Sequence, residues 1–131
     1  MSETVEATLE SYRELVGYVP DGIRARLTLL SDLDPDFLRE IEAFRSGNLS
    51  SEALGPVVVQ FLMFAILLFD RDEDALAHAR IALRNGATPE QLLDVVRVAG
   101  WLGGAQAFNA GFRILAAALE AERADSATES P

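Results

Sequence analysis

The side chains with the most chemical capacity gather in one stretch, Arg71-x-x-Asp74-x-x-x-His78. His78 is the only histidine of the chain. An unperturbed imidazole titrates near ~6.5, so it can give or take a proton around neutrality. On a helix, spacings of three, four and seven put Arg71, Asp74 and His78 on one stripe. Asp70 and Glu73 have the spacing of an N-cap and its reciprocal acid, which predicts a helix beginning at about Arg71. The N–H groups at such a start, together with the Arg71 guanidinium, favour a carboxylate. Asp74, one turn before His78, is placed to orient the imidazole and hold its charge. These residue types in this order fit anion binding coupled to proton transfer. Plain structural roles fit them too: cap and dipole residues for Asp70, Asp72 and Glu73, a solvated partner of His78 for Asp74, an exposed cation for Arg71, and for His78 a hydrogen-bonded residue at a helix border.

Composition narrows the chemistry. The chain has 131 residues, half of them apolar and 24% charged, which is the composition of a globular domain with a real core. There is no cysteine, hence no thiolate nucleophile, disulfide or zinc–thiolate site. All 11 basic residues are arginine, so Schiff-base chemistry and the P-loop lysine are excluded. One histidine means that a multi-histidine metal site would need symmetry-related copies, and no metal or cofactor is expected. A formal charge of −10 argues against nucleic acid but leaves room for a locally positive site and a small anion. Residues 1–6 carry no basic leader or apolar h-region, and the run Val57 to Phe69 is short for a membrane span and holds Gln60. A cytoplasmic protein without membrane contact is expected.

The elements that must position these groups read as helices throughout. Val5, Leu9, Tyr12 and Leu15 have helical spacing over residues 2–16, and Gly17 and Pro20 break it. Ile23, Leu27 and Leu30 predict a short helix ending near Ser31. Asp34-Pro35 opens a helix running to about Arg45, and Ser46 to Ser50 reads as a loop. A helix capped by Ser50 or Ser51 runs to about Leu68 and is apolar nearly all round, so neighbours or another subunit should bury it. In the Asp70 helix Leu76, Ala79 and Leu83 form an apolar stripe, while Glu73, Arg80 and Arg84 point the other way. Asn85-Gly86 stops it. Thr88-Pro89-Glu90-Gln91 is an N-cap with proline and glutamine in the first turn, opening a helix to about Trp101. Gly103-Gly104 gives a bend or a close contact. A last helix runs from about Gln106 to Arg123, and residues 124–131 read as a disordered tail. The expectation is one all-α domain over residues 1–123 with six to seven helices.

From about Leu49 to Leu115 the chain resembles the carboxymuconolactone decarboxylase family, whose scaffold also carries alkylhydroperoxidase-like proteins. The resemblance rests on Arg71-x-x-Asp74-x-x-x-His78, on Ala82-Leu83-Arg84-Asn85-Gly86-Ala87-Thr88-Pro89-Glu90-Gln91-Leu92, and on Gly103-Gly104-Ala105-Gln106-Ala107-Phe108-Asn109-Ala110-Gly111-Phe112-Arg113. In the peroxidase branch cysteines fall where Arg71 and Asp74 stand here, so that chemistry is closed to this chain. The decarboxylase branch is similar in its arginine, acid and histidine and in the later Asn109-x-x-x-Arg113. This chain departs from it where Asp74 replaces a longer glutamate and where Val59, beside Gln60, replaces an acid. A proline and a tyrosine common near the Gly103 region are also missing, and Trp101 is the nearest aromatic.

The resemblance implies a homo-oligomer, a homo-trimer or homo-hexamer, acting on a small anionic organic substrate without a cofactor. The implied activity is a lyase, decarboxylase-like, removing carbon dioxide from a small carboxylated lactone or enolisable acid. His78 would be the general acid/base, Asp74 its orienter, Arg71 and Arg113 the carboxylate anchors, and Asn109 a positioning group. Trp101 and Gln60 are weaker substrate-binding candidates. An isomerase, dehydratase or cyclase on the same scaffold, or a binding protein that has lost the site, are the alternatives.

Overall fold

The computed structural model describes residues 3–70 and 74–129, the side chains of residues 15–16 excepted. The described residues are helical, without a strand: α1 (Glu3–Val16), α2 (Asp21–Leu33), α3 (Pro35–Leu49), α4 (Gly55–Asp70), α5 (Asp74–Arg84) and α6 (Pro89–Glu129). They gather into two compact units, Met1–Ala53 and Leu54–Pro131.

The first unit holds α1 to α3 around Val5, Leu9, Val19, Leu27 and Leu38. Asp34 caps α3 as its sequence predicts, its side chain accepting from the Phe37 N–H at 3.0 Å. The loop expected at Ser46 to Ser50 is instead the last turn of α3. Asn48 donates to the Phe44 carbonyl and Ser50 to the Ser46 carbonyl, each at 2.7 Å, so polar side chains that favour turns here support the helix end. Glu42 is buried and accepts from Arg26 at 2.7 Å and from Arg45 at 2.9 Å. The Arg45 guanidinium also lies 5.1 Å from the centre of the Tyr12 ring, a cation–π contact between α3 and α1.

The second unit holds α4 to α6 around Phe64, Leu68, Leu92, Val96 and Ile114. The α5 residues that meet this core are Ala75, Ala79 and Ala82, all fully buried. Leu76 and Leu83 are only half-buried, so the packed stripe lies slightly round the helix from the expected one. Alanine on that face brings the α5 backbone close to its neighbours. Asp70, expected as the cap of this helix, is the last residue of α4; the expected start at Arg71 lies outside the described residues, and α5 is described from Asp74. Apolar packing of Phe64 and Leu68 carries α4 through to its end. Arg71, Asp72 and Glu73 lie outside the described residues.

Gly104 divides α6. Its φ of 79° and ψ of −172° interrupt the helix, a conformation open to glycine and strained for other residues. The two arms then pack on one another: a Cβ built at Gly111 would stand 2.6 Å from a methyl of Val96. Before this, the first arm opens as the sequence predicts. The Gln91 N–H donates to Thr88 Oγ1 at 3.1 Å and the Thr88 N–H to Gln91 Oε1 at 3.0 Å.

The second arm continues to Glu129 instead of ending near Arg123. Tertiary ion pairs account for the extension. Arg80 reaches Glu122 at 2.8 Å and Asp125 at 2.5 Å, and Arg84 reaches the same two acids at 3.0 and 2.8 Å. Arg80 is buried, not turned to solvent as its helical phase suggests. Two planar guanidinium forks on α5 thus hold two carboxylates of α6, an arrangement lysine would not reproduce.

Two outcomes test this packing. The double variant Glu122→Gln/Asp125→Asn removes the two carboxylates of α6 that face the buried Arg80 and should lose about 3 kcal/mol in denaturant titration. Amide exchange should then quicken over residues 120–129; unchanged stability would show that these pairs do not hold the arm. Gly111→Ala should cost about 1–3 kcal/mol by overpacking against Val96, read as a lowered Tm.

Candidate functional site

His78 is placed by two helices. It sits on α5, part-buried, on the flank of the alanine face that packs into the core. Across from it on α4 is Gln60, whose neighbours in sequence are apolar. The two meet at 2.8 Å, His78 Nδ1 to Gln60 Oε1. An amide oxygen can only accept, so Nδ1–H is the donor. In the neutral ring the lone pair is then on Nε2, the nitrogen suited to accept a proton. An amide inside an apolar helix needs a polar partner, and the imidazole provides it.

His78 and Asp74 line one concavity of about 250 Å³ with Met63, Ile66 and Leu67. Asp74 and His78 are one turn apart on α5, and the three apolar residues come from α4. The wall is therefore a single charged carboxylate and an imidazole set against a methionine and branched aliphatic surface. Such a mixture suits a small organic molecule with few polar groups. Asp74 also stands in the first turn of α5, where a carboxylate is favoured by the helix dipole.

Among the sequence-predicted site residues, the geometry brings together His78, Asp74 and Gln60. Gln60 is joined to His78 by the hydrogen bond and Asp74 by the shared cavity. Arg71 lies outside the described residues. Asn109 and Arg113 are on the second arm of α6, both exposed, and neither lines this cavity. Trp101 is on the first arm, 84% exposed, and does not line it either. Gln60 carries more of the arrangement than its sequence position suggested. Its signal was a lone amide in an apolar helix, which demands a partner without saying which one. The aliphatic lining was legible only as core.

No cluster of three or more histidine, cysteine, aspartate or glutamate side chains able to hold a metal ion occurs among the described residues. No helix among them is long and apolar enough to cross a membrane. What the arrangement can do is bind a small molecule beside an imidazole hydrogen-bonded to Gln60 and exchange a proton with it.

Comparison with known proteins agrees with the helical architecture. No curated protein and no solved structure matches the chain. The family comparison matches residues 35–117, from the start of α3 into the second arm of α6, and so includes Gln60, Asp74 and His78. With well over half of its length matched, this cysteine-free chain belongs to the carboxymuconolactone decarboxylase family.

Proposed function

We propose that the protein is a cofactor-independent, decarboxylase-like lyase acting on a small carboxylated lactone or a related enolisable acid. The observation that carries this reading is the His78–Gln60 hydrogen bond at the edge of a small, mostly aliphatic cavity in a family domain. Family membership supplies the class of reaction, and the absence of cysteine closes the thiol peroxidase route. In the reaction, the bond between the ring carbon and the substrate carboxylate breaks and carbon dioxide leaves. The electron pair passes into the conjugated lactone carbonyl, and a proton returns to carbon. His78 takes up a proton from solvent at Nε2 and, as the imidazolium, delivers it to carbon; Asp74 steadies that imidazolium, and Gln60 holds the ring through Nδ1. Arg71 is proposed as the carboxylate anchor; Arg113 and Asn109, which do not line this cavity, are given no role at it.

One feature of the site favours a second reading. Where the family often has an acid, Val59 is buried and the neighbouring Gln60, a neutral amide, faces the imidazole. A neutral amide stabilises the imidazolium less than a carboxylate would, which suits reversible proton shuttling. An isomerase, dehydratase or cyclase would use the same His78 and release no carbon dioxide. Product analysis on a panel of unsaturated lactone acids separates the two.

His78→Ala should keep its helical circular dichroism and lose turnover by at least ~100-fold, the lower end of general acid–base contributions. Undiminished turnover would remove His78 from the chemistry. Gln60→Glu places a carboxylate on Nδ1, and an opposite charge at that distance stabilises the protonated ring. The pKa of His78, followed by NMR as the only imidazole signal, should therefore rise relative to the parent protein. The acid limb of any pH–rate profile should move with it. An unmoved pKa would mean that residue 60 does not contact the ring in solution.

A further inference from the structure

The side of α4 turned away from the core carries Val58, Leu62, Ile66 and Phe69 at helical spacing, all exposed. On the first arm of α6, Val98, Trp101 and Leu102 are 71%, 84% and 79% exposed. The two rows border one groove of about 400 Å³, whose walls include Phe61, Leu62, Phe69, Val95, Val98 and Leu102. Asp94 is the one charged residue lining it among the described residues, and it is paired with Arg97 at 3.3 Å.

The extent of this surface says what kind of occupant it suits. The two rows together expose on the order of 900 Å² of side chain, against about 800 Å² per partner in a standard interface and about 300–600 Å² for the largest apolar patch on a monomer. A small apolar molecule filling the groove would still leave Trp101 standing in water, since Trp101 does not line it. Charge points to a second copy. Two chains of formal charge −10 repel over most of their surfaces, and this nearly uncharged face is where they can approach. It offers both a protruding aromatic and a groove, the self-complementary pair that a two-fold contact requires. Tryptophan is also the residue type that most often anchors such contacts.

We propose that the α4–α6 face is the contact between two copies of this chain, each copy's Trp101 seated in the groove of the other. Such a contact pairs copies, so it fits within a hexamer and cannot by itself build a trimer. It gives Trp101 an anchoring role apart from substrate binding. It stands whether or not His78 is catalytic, since an inert scaffold of this sequence would keep the same face.

Trp101 is the only tryptophan, so its emission reports this surface directly. Sedimentation of the full chain from low micromolar to submillimolar concentration should show a dimer or an even-numbered multiple. In the associated protein Trp101 emission should be blue-shifted and shielded from acrylamide, and dilution should reverse both. Leu102→Glu keeps the reporter and alters an exposed position. It should retain its helical circular dichroism and weaken association by about 30-fold or more, the loss expected at a hot spot. Val98→Glu, equally exposed, should do the same. A protein that stays monomeric with Trp101 open to quencher overturns the proposal. So does an oligomer whose Trp101 remains quenchable or that ignores both substitutions, because its interface is then elsewhere. A monomer with Trp101 already shielded also overturns it, assigning the face to this chain's own residues or to a small apolar ligand.

Discussion

Close packing of α5 through an alanine face is the constraint on which the second unit depends. Ala75, Ala79 and Ala82 have no accessible surface, and they meet a core of Phe64, Leu68, Val96 and Ile114 drawn from α4 and α6. Small side chains on one helix set against large ones on its neighbours fix both the depth and the rotation of α5. That rotation decides which polar residues are carried toward which partner. His78, on one flank of the face, is brought to Gln60 of α4. Arg80, on the other, is brought to Glu122 and Asp125 of α6. Site and clamp are thus two consequences of one packing event.

Each consequence is also an obligation. A buried polar group without a partner costs more than its hydrogen bond returns, so Gln60 in an apolar helix and Arg80 near the core constrain their surroundings. Gln60 is satisfied by an imidazole and Arg80 by two carboxylates, which in turn extend the second arm of α6 into a polar sequence that would not hold a helix on propensity alone. The bend at Gly104 lets that arm fold back so that Val96 and Gly111 touch and Glu122 lies over α5. Without the reversal, Glu122 and Asp125 would not reach Arg80 and Arg84.

The sequence was most informative where local chemistry decides the outcome. The Thr88–Gln91 capping box and the Asp34 cap are short-range features, and each takes the form its residues suggest. It was least informative where a distant partner decides. Arg80 reads as solvated from its helical phase and becomes buried only because Glu122 and Asp125 arrive from another helix. Residues 124–129 read as a tail for the same reason. Asp70 belongs to α4, held there by the core packing of Phe64 and Leu68, although its sequence also suits a helix cap. At the site, the three residues brought together were all legible as candidates. Their pairing was not: the side chain bonded to Nδ1 is the amide from α4, while the acid expected to orient the ring shares the cavity wall.

This pairing gives the chemistry its direction. A ring held through Nδ1–H presents Nε2 as the proton-accepting atom, whereas free neutral histidine prefers its proton on Nε2. The most direct measurement is therefore the tautomer of the single imidazole, read from the ¹⁵N shifts and long-range ¹H–¹⁵N couplings of labelled protein above its titration range. Retention of the proton on Nδ1 in the neutral ring, lost in a Gln60→Leu variant, is the predicted result. A neutral ring protonated on Nε2 and indifferent to residue 60 would contradict the account at its centre, because the geometry that prepares His78 for proton transfer would not exist in solution.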